Sequence, residues 1–499
     1  MLLGDLAHRG ATLWPDRTAF AWEGGRTRSY AELHDRAGRW HGLLAAGGVG
    51  AGDRIALLTV NAPEAVEVAF AASWLGAVVV PLNVRLGPAE IRFQVEDAGA
   101  RHAVVHPALE GLARESGLLD GAYWTIGPDL DEALAAVPGP AAGAPRPAED
   151  APVMQLYTSG TTGRPKGCLL TNRGWVVAAA NAVQAFGITG DDRLLGALPL
   201  FHVAGYGTAL GHLAAGGTVV LPPGPAPAQV WPVIARHGVT VAIFPAGTGA
   251  ALRHPEAAPE TLRLVFGMAA TERTRSLEEL RDLGIGYRGV YGSTEAGNFV
   301  TVTTLDDELA RPGTVGRPLP PFDLAIDAPD ATGTGELLVR GASLMAGYAG
   351  LPEATAAALR DGWLHTGDLL RQDADGYFYF VDRAKDMIKT GGENVYSAEV
   401  ERVLAAHPAV ADVAVVGVPD RRWGEAVKAL VVLRDGHEPG GAPAGLDAHC
   451  RELLGAFKCP RWYEIVEAIP RNHSGKILKR ELRAAHDPAT AVRLPERDR

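Results

Sequence analysis

Residues 157–167 read YTSGTTGRPKG, and this run restricts what the chain can fold into more than any other. Thr158, Ser159, Thr161 and Thr162 bring hydroxyls, and Lys166 brings a positive charge. Gly160 and Gly163 allow tight turns that point backbone N–H groups at one spot. The apolar residues VMQLY at 153–157 read as a short strand, so the loop leaves the edge of a sheet. Such a concentration of donors suits a polyphosphate. It is not a Walker A loop, which needs GxxxxGK and then Ser or Thr; here Pro165 precedes Lys166 and Gly167 follows it. A plain polar surface loop has a similar composition, so the reading depends on the company the loop keeps.

That company is an α/β chain. Residues 54–60 read as a strand, 63–76 as a helix, 77–80 as a strand, 87–98 as a helix and 103–105 as a strand. This alternation implies a mostly parallel sheet covered by helices. After a Pro/Gly-rich spacer at 138–152, a second series follows at 218–221, 230–237, 241–244 and 262–266. Residues 313–348 are punctuated by Gly and Pro and suggest a small β unit. Beyond 382 comes a compact α+β pattern. Ser397 is placed to cap a helix, residues 410–418 and 427–433 read as a strand pair, and 462–466 as a further strand.

The totals bound the function classes. A chain of 499 residues holds several packed units. A net charge of −11 argues against nucleic acid or an anionic membrane as the main partner. The longest apolar run, 68–82, contains Ser73 and Gly76 and is too short for a membrane span. MLLGDLAHRG at the start has no apolar core ahead of Asp5, so no signal peptide is expected. Three cysteines without a CxxC pair suit a reducing, cytoplasmic setting and argue against a zinc or disulfide scaffold.

Three further segments accompany the loop: YGSTEAG at 291–297, HTGD at 365–368 and PRNHSGK at 470–476. In this order and spacing the four resemble the adenylate-forming superfamily of acyl- and aryl-CoA ligases, peptide-synthetase adenylation domains and beetle luciferases. The resemblance spans nearly the whole chain. It implies a large N-terminal domain of two α/β subdomains plus a β-barrel, here 1–382, and a small mobile α+β C-terminal domain, here 383–499. The implied chemistry joins a carboxylic acid to AMP, with ATP and Mg²⁺, and then passes the acyl group to a thiol.

The resemblance also assigns roles. Thr158, Ser159, Gly160, Thr161, Thr162, Gly163 and Lys166 would hold the β- and γ-phosphates. Tyr291 would stack on adenine beside Gly292, Thr294 would donate to the α-phosphate, and Glu295 would hold Mg²⁺. Asp368 and Arg383 match ribose contacts, and Lys385 matches the hinge between the domains. Lys476 would bridge the substrate carboxylate and the α-phosphate, then withdraw when the C-terminal domain rotates. His202, Val203, Tyr206, Phe244, Gly267, Met268 and Asn298 would line the acyl pocket. Two departures stand out: FGMAAT at 266–271 replaces a GGA-like run, and Gly289-Val290 replaces Gln-Gly or Asn-Gly.

MIKTGGENV at 387–395 resembles CoA ligases rather than peptide-synthetase domains, which implies that Gly391 and Gly392 serve cofactor binding and that Gly392 lines the pantetheine tunnel. CoA is therefore the expected acceptor, and a homodimer is admissible. The alternatives are an acyl-AMP ligase serving a carrier protein and a non-catalytic nucleotide-binding sensor. Segments 203–207, 244–249 and 297–300 carry no Lys or Arg. A second substrate carboxylate would be buried without a partner there. A bulky monocarboxylic acid is expected: fatty, aromatic, alicyclic or terpenoid.

Overall fold

The computed structural model describes residues 1–138, 146–158, 164–244, 248–254, 257, 260–270, 274–390, 393–472 and 475–493. The chain divides into two compact units. The first comprises Met1–Ala325, Leu338–His365 and Ala374–Phe378; the second comprises Ile326–Leu337, Thr366–Asp373 and Tyr379–Arg499. Both are mixed α/β, as the alternating pattern requires. Among the described residues, no helix is long and apolar enough to cross a membrane.

The first unit contains a seven-stranded sheet in the order Gly347–Tyr348, Lys166–Thr171, Pro152–Thr158, Val78–Pro81, Arg54–Leu58, His102–Val105, Ala122–Thr125. Its last five strands run parallel, as expected for strands linked by the helices Pro63–Leu75 and Pro88–Ala98. The helix Pro63–Leu75 is apolar on nearly every face and buried almost throughout. Membrane-like hydropathy at 68–82 is therefore a core helix running into the strand Val78–Pro81.

The second strand series of this unit runs in the order Thr314–Pro318, Asn298–Val302, Gly286–Ser293, Leu264–Met268, Val241–Ala242, Arg193–Leu195, Thr218–Val220, Thr18–Trp22, Arg26–Ser29. Strands from Gly286–Ser293 to Thr18–Trp22 are parallel; the flanking ones are antiparallel. Trp231, Ile234, Phe244, Val265, Leu277 and Tyr287 form its packed core. Strand-rich structure expected at 313–348 is present and continues to the strand Phe378–Arg383.

In the second unit the hairpin Val410–Asp420/Gly424–Leu433 pairs antiparallel over nearly its full length. Its side chains alternate between two buried faces. Val413 and Val415 pack with Val400, Leu404, Leu446 and Tyr463, while Ala414, Val416 and Val418 pack with Ile469 and Leu482. The helix over the first face is Ser397–Ala405. Ser397 does not cap it through its own hydroxyl. That hydroxyl donates to Asp382 Oδ2 at 2.7 Å and receives Lys479 Nζ at 2.7 Å. Asp382 also receives the Ala398 N–H at 3.4 Å, so a carboxylate remote in sequence takes over the first turn of this helix.

Candidate active site

The strand before the loop 159–163 is not at a sheet edge. Pro152–Thr158 lies between a parallel neighbour and the antiparallel strand Lys166–Thr171, with Thr158 opposite Lys166. The loop is the connection of that hairpin. Ser159, Gly160, Thr161, Thr162 and Gly163 lie outside the described residues, so only its two stems are placed.

The YGSTEAG segment is also a hairpin, not the strand-to-helix turn its Thr-Glu pair suggests. It joins Gly286–Ser293 to the antiparallel strand Asn298–Val302. Gly297 and Asn298 reverse the chain at φ +79° and +149°. The Gly297 N–H donates to the Thr294 carbonyl at 3.0 Å. Glycine is needed at two points: a Cβ at Gly297 would fall 2.0 Å from the Ser343 carbonyl oxygen, and one at Gly292 would fall 1.9 Å from that of Asn298. Tyr291 is buried, and Thr294 and Glu295 are half-buried. Gly289 has a physical reason for its departure: a side chain there would collide with Glu308 and Thr303, which brace the turn through a 2.8 Å hydrogen bond.

A third segment, 343–349, ties these two hairpins together. Met345 N–H donates to the Glu295 carbonyl at 2.9 Å, Ala346 N–H to that of Leu169 at 2.8 Å, and Ala349 N–H to that of Gly167 at 2.8 Å. Tyr348 stands where they converge. Its hydroxyl donates to Glu295 Oε1 at 3.0 Å, and Lys166 Nζ lies 4.8 Å from the centre of its ring. Burial, and then the Glu295 charge, hold the Tyr348 phenol well above its ordinary range, so it remains a proton donor. Cys168 beneath the turn is buried; burial and Glu295 push its thiol up as well, which leaves it unreactive. The sequence reading missed Tyr348. Its only local signal is an aromatic residue set between Gly347 and Gly350 in a short strand.

Two of the three expected pocket segments meet. Asn298 is buried and packs directly on the helix Val203–Ala214, where a Cβ at Gly207 would fall 1.7 Å from its Nδ2. His202 is exposed and caps this helix, its Nδ1 accepting the Ala204 N–H at 3.3 Å. Val203 is buried in the first turn. Tyr206 corrects the sequence reading: it is fully buried and its hydroxyl donates to the Ala65 carbonyl at 2.7 Å, which makes it a packing residue. Phe244 is buried beside Trp231, with ring centres 5.4 Å apart. Gly267 is buried against the Tyr287 hydroxyl, whereas Met268 is exposed.

The remaining candidates lie in the second unit. Asp368 is buried and pairs with Arg383 Nε at 3.0 Å. The turn that presents it has Gly367 at φ +69°, its N–H bonded to Glu336 at 2.8 Å and its carbonyl to the Ala384 N–H at 2.9 Å. Lys385 is exposed; its carbonyl receives Arg483 Nη2 at 3.2 Å, and the same guanidinium pairs with Asp386 at 2.9 Å. Gly391 and Gly392 lie outside the described residues. Lys476 is exposed at the base of a tight loop, where its N–H donates to Asn472 Oδ1 at 2.9 Å and its carbonyl receives the Asn472 N–H at 2.8 Å.

With this geometry in place, comparison with known proteins is decisive. Residues 7–349 match the AMP-binding enzyme family and residues 399–476 its AMP-binding enzyme C-terminal domain. A feruloyl-CoA synthase from Amycolatopsis is 38% identical over 96% of this chain and 98% of its own length. A fatty acid–[acyl-carrier-protein] ligase of Streptomyces coeruleorubidus is 37% identical over 92% of each chain. The o-succinylbenzoate CoA synthetase of Bacillus subtilis, solved with its acyl-adenylate intermediate, superposes with a TM-score of 0.86 at 32% identity, covering 96% of this chain and 98% of that one. The chain belongs to the AMP-binding enzyme family, in its acyl-CoA synthetase branch. Its reaction is that of an AMP-forming carboxylic acid–CoA ligase, which uses ATP, Mg²⁺ and CoA and passes through an acyl-adenylate.

Proposed function

We propose that this ligase activates a bulky monocarboxylic acid with no charge beyond the reacting carboxylate, with an aryl or arylalkenoic acid as the first choice, in the cytoplasm. A carboxylate resists nucleophiles because it is charged, and esterification to AMP gives it a leaving group. The observation that carries the assignment of the reaction centre is the convergence of Glu295 and Lys166 on Tyr348 beside the Tyr291 turn. Glu295 presents a carboxylate, the oxygen donor that Mg²⁺ prefers, and bound Mg²⁺ would offset phosphate charge. Lys166 and the loop 158–163 hold the β- and γ-phosphates, Thr294 donates to the α-phosphate, and Tyr291 stacks on adenine across Gly292. Asp368 and Arg383 take the ribose.

Lys476 supplies the cation that bridges the two reacting anions. Lys385 is the hinge of the movement that exchanges Lys476 for a CoA passage at Gly391 and Gly392. The 382/383 boundary of that movement falls between the two family matches, which end at 349 and begin at 399. His202, Val203, Gly267, Met268 and Asn298 border the acid.

Support for an acid with no second charge is the lack of Lys and Arg in the pocket segments. Arg253, which lies beside Gly249, stands 3.7 Å from Glu279. Support for an aryl body is the similarity to a feruloyl-CoA synthase. A carrier protein as a further acceptor beside CoA is the second reading, favoured by the carrier-protein ligase relative. ATP–pyrophosphate exchange over a panel of fatty, aryl, alicyclic and dicarboxylic acids tests the acid, and mass spectrometry of products with CoA or a carrier protein tests the acceptor. A preference for malonate or succinate refutes the pocket reading.

A further inference from the structure

Glu295 and Lys166 carry opposite charges and sit on different hairpins, and both touch one side chain. With no group between them, a half-buried carboxylate and a half-buried ammonium are drawn toward direct pairing. Each would then be withdrawn from a ligand that needs both. Tyr348 stands between them with a different face for each: the hydroxyl engages Glu295 Oε1 at 3.0 Å, and the ring takes Lys166 Nζ at 4.8 Å. Among the described residues the hydroxyl engages Oε1 alone, so the other carboxylate oxygen is the one offered to a cation. The ring attracts the ammonium without consuming its N–H donors on an anion.

The backbone beneath Tyr348 is held to both hairpins, by Met345 to Glu295 and by Ala349 to Gly167. The side chain is therefore fixed relative to both charges.

We propose that Tyr348 is a positioning residue that keeps the Glu295 carboxylate and the Lys166 ammonium apart and aimed, so that Mg²⁺ and the ATP phosphates find both free to bind. The inference rests on the roles proposed above for Glu295 and Lys166. It makes Tyr348 act on nucleotide and metal affinity, not on the acid or on the thiol.

Two substitutions separate its two faces. Tyr348→Phe keeps the ring and the spacing but removes the hydrogen bond to a charged group. The Mg²⁺ concentration for half-maximal pyrophosphate exchange should rise roughly tenfold, the scale of one charge-assisted hydrogen bond. Tyr348→Leu also removes the ring and lets Lys166 reach Glu295, so the KM for ATP should rise as well. Calorimetric titration of Mg²⁺·ATP into the acid-free enzyme should show the same order: wild type tighter than Phe, and Phe tighter than Leu. Thioester formation from supplied acyl-adenylate should be spared in both.

The control is Glu295→Gln. In that background Tyr348→Phe should add nothing further to the Mg²⁺ requirement. If Glu295→Gln raises the requirement and Tyr348→Phe leaves it unchanged or lowers it, the positioning role is overturned while the metal assignment stands. A lower melting temperature with unchanged Mg²⁺ and ATP affinity also overturns it, since that is what a merely packed tyrosine would give. If Glu295→Gln itself leaves the requirement unchanged, the metal assignment and the inference fall together.

Discussion

Replacing Lys476 with alanine offers a test in which stability and chemistry separate cleanly. Lys476 is exposed. Its loop is held by other groups: the reciprocal bonds of Asn472 to the Lys476 backbone, the Arg471–Ile477 bridge, and Arg471 Nη2 on both oxygens of Asp412 at 2.8 Å. Truncation at Cβ leaves all of these in place, so the stability change should be small beside the catalytic one. The catalytic change should be far larger. One preorganised group facing developing charge is worth about 10²–10³-fold in rate, or roughly 2.7–4 kcal/mol. Pyrophosphate exchange with a good acid should therefore fall by at least two orders of magnitude at an unchanged melting temperature. Thioester formation from supplied acyl-adenylate should fall by less than about threefold, because the cation has no anion pair to bridge in that step. Equal loss in the two half-reactions would refute the division of labour, and so would loss that tracks a fall in melting temperature.

Three other outcomes are expected. Glu295→Gln keeps size and hydrogen bonding but removes the charge that a hard cation needs, so turnover should fall and the half-saturating Mg²⁺ should rise; an unchanged Mg²⁺ profile would reduce Glu295 to a turn residue. Gly297→Ala sets a Cβ 2.0 Å from the Ser343 carbonyl at φ +79°, so it should destabilise the first unit by roughly 2–4 kcal/mol and lower its melting temperature by several degrees in calorimetry. Burial holds His212 down to about 4, below its ordinary 6.5, with Nδ1 bonded to the Thr208 carbonyl at 2.8 Å. The unfolded chain then binds a proton that the folded one refuses. Its contribution is present above pH 6.5 and should be lost between pH 6.5 and 4, a fall of roughly 3 kcal/mol that a His212→Gln variant should lack in pH-dependent melting curves.

Local sequence was enough for most of the frame. Strand–helix alternation over 54–105 is written in apolar runs and Pro-started helices, and the structure places those elements within a residue or two. Apolar runs likewise announced a strand pair at 410–418 and 427–433, which the structure extends to the hairpin Val410–Asp420/Gly424–Leu433. The motif residues were legible because glycine, hydroxyl, carboxylate and lysine at fixed spacing have few other uses in combination.

What tertiary structure alone decided is which residues meet across the chain. The Glu295 partner is Tyr348, 53 residues away, and nothing between them in sequence encodes the contact. The same holds for the Ser397 helix, whose first turn is met by Asp382 because folding delivers a buried carboxylate there. Tyr206 is given as a pocket residue by the resemblance, yet it is fully buried with its hydroxyl on the Ala65 carbonyl, a contact that only the packing of two helices creates. Local propensity is set by a residue and its near neighbours. A contact between distant segments depends on how whole elements pack, and the order of residues does not show that directly.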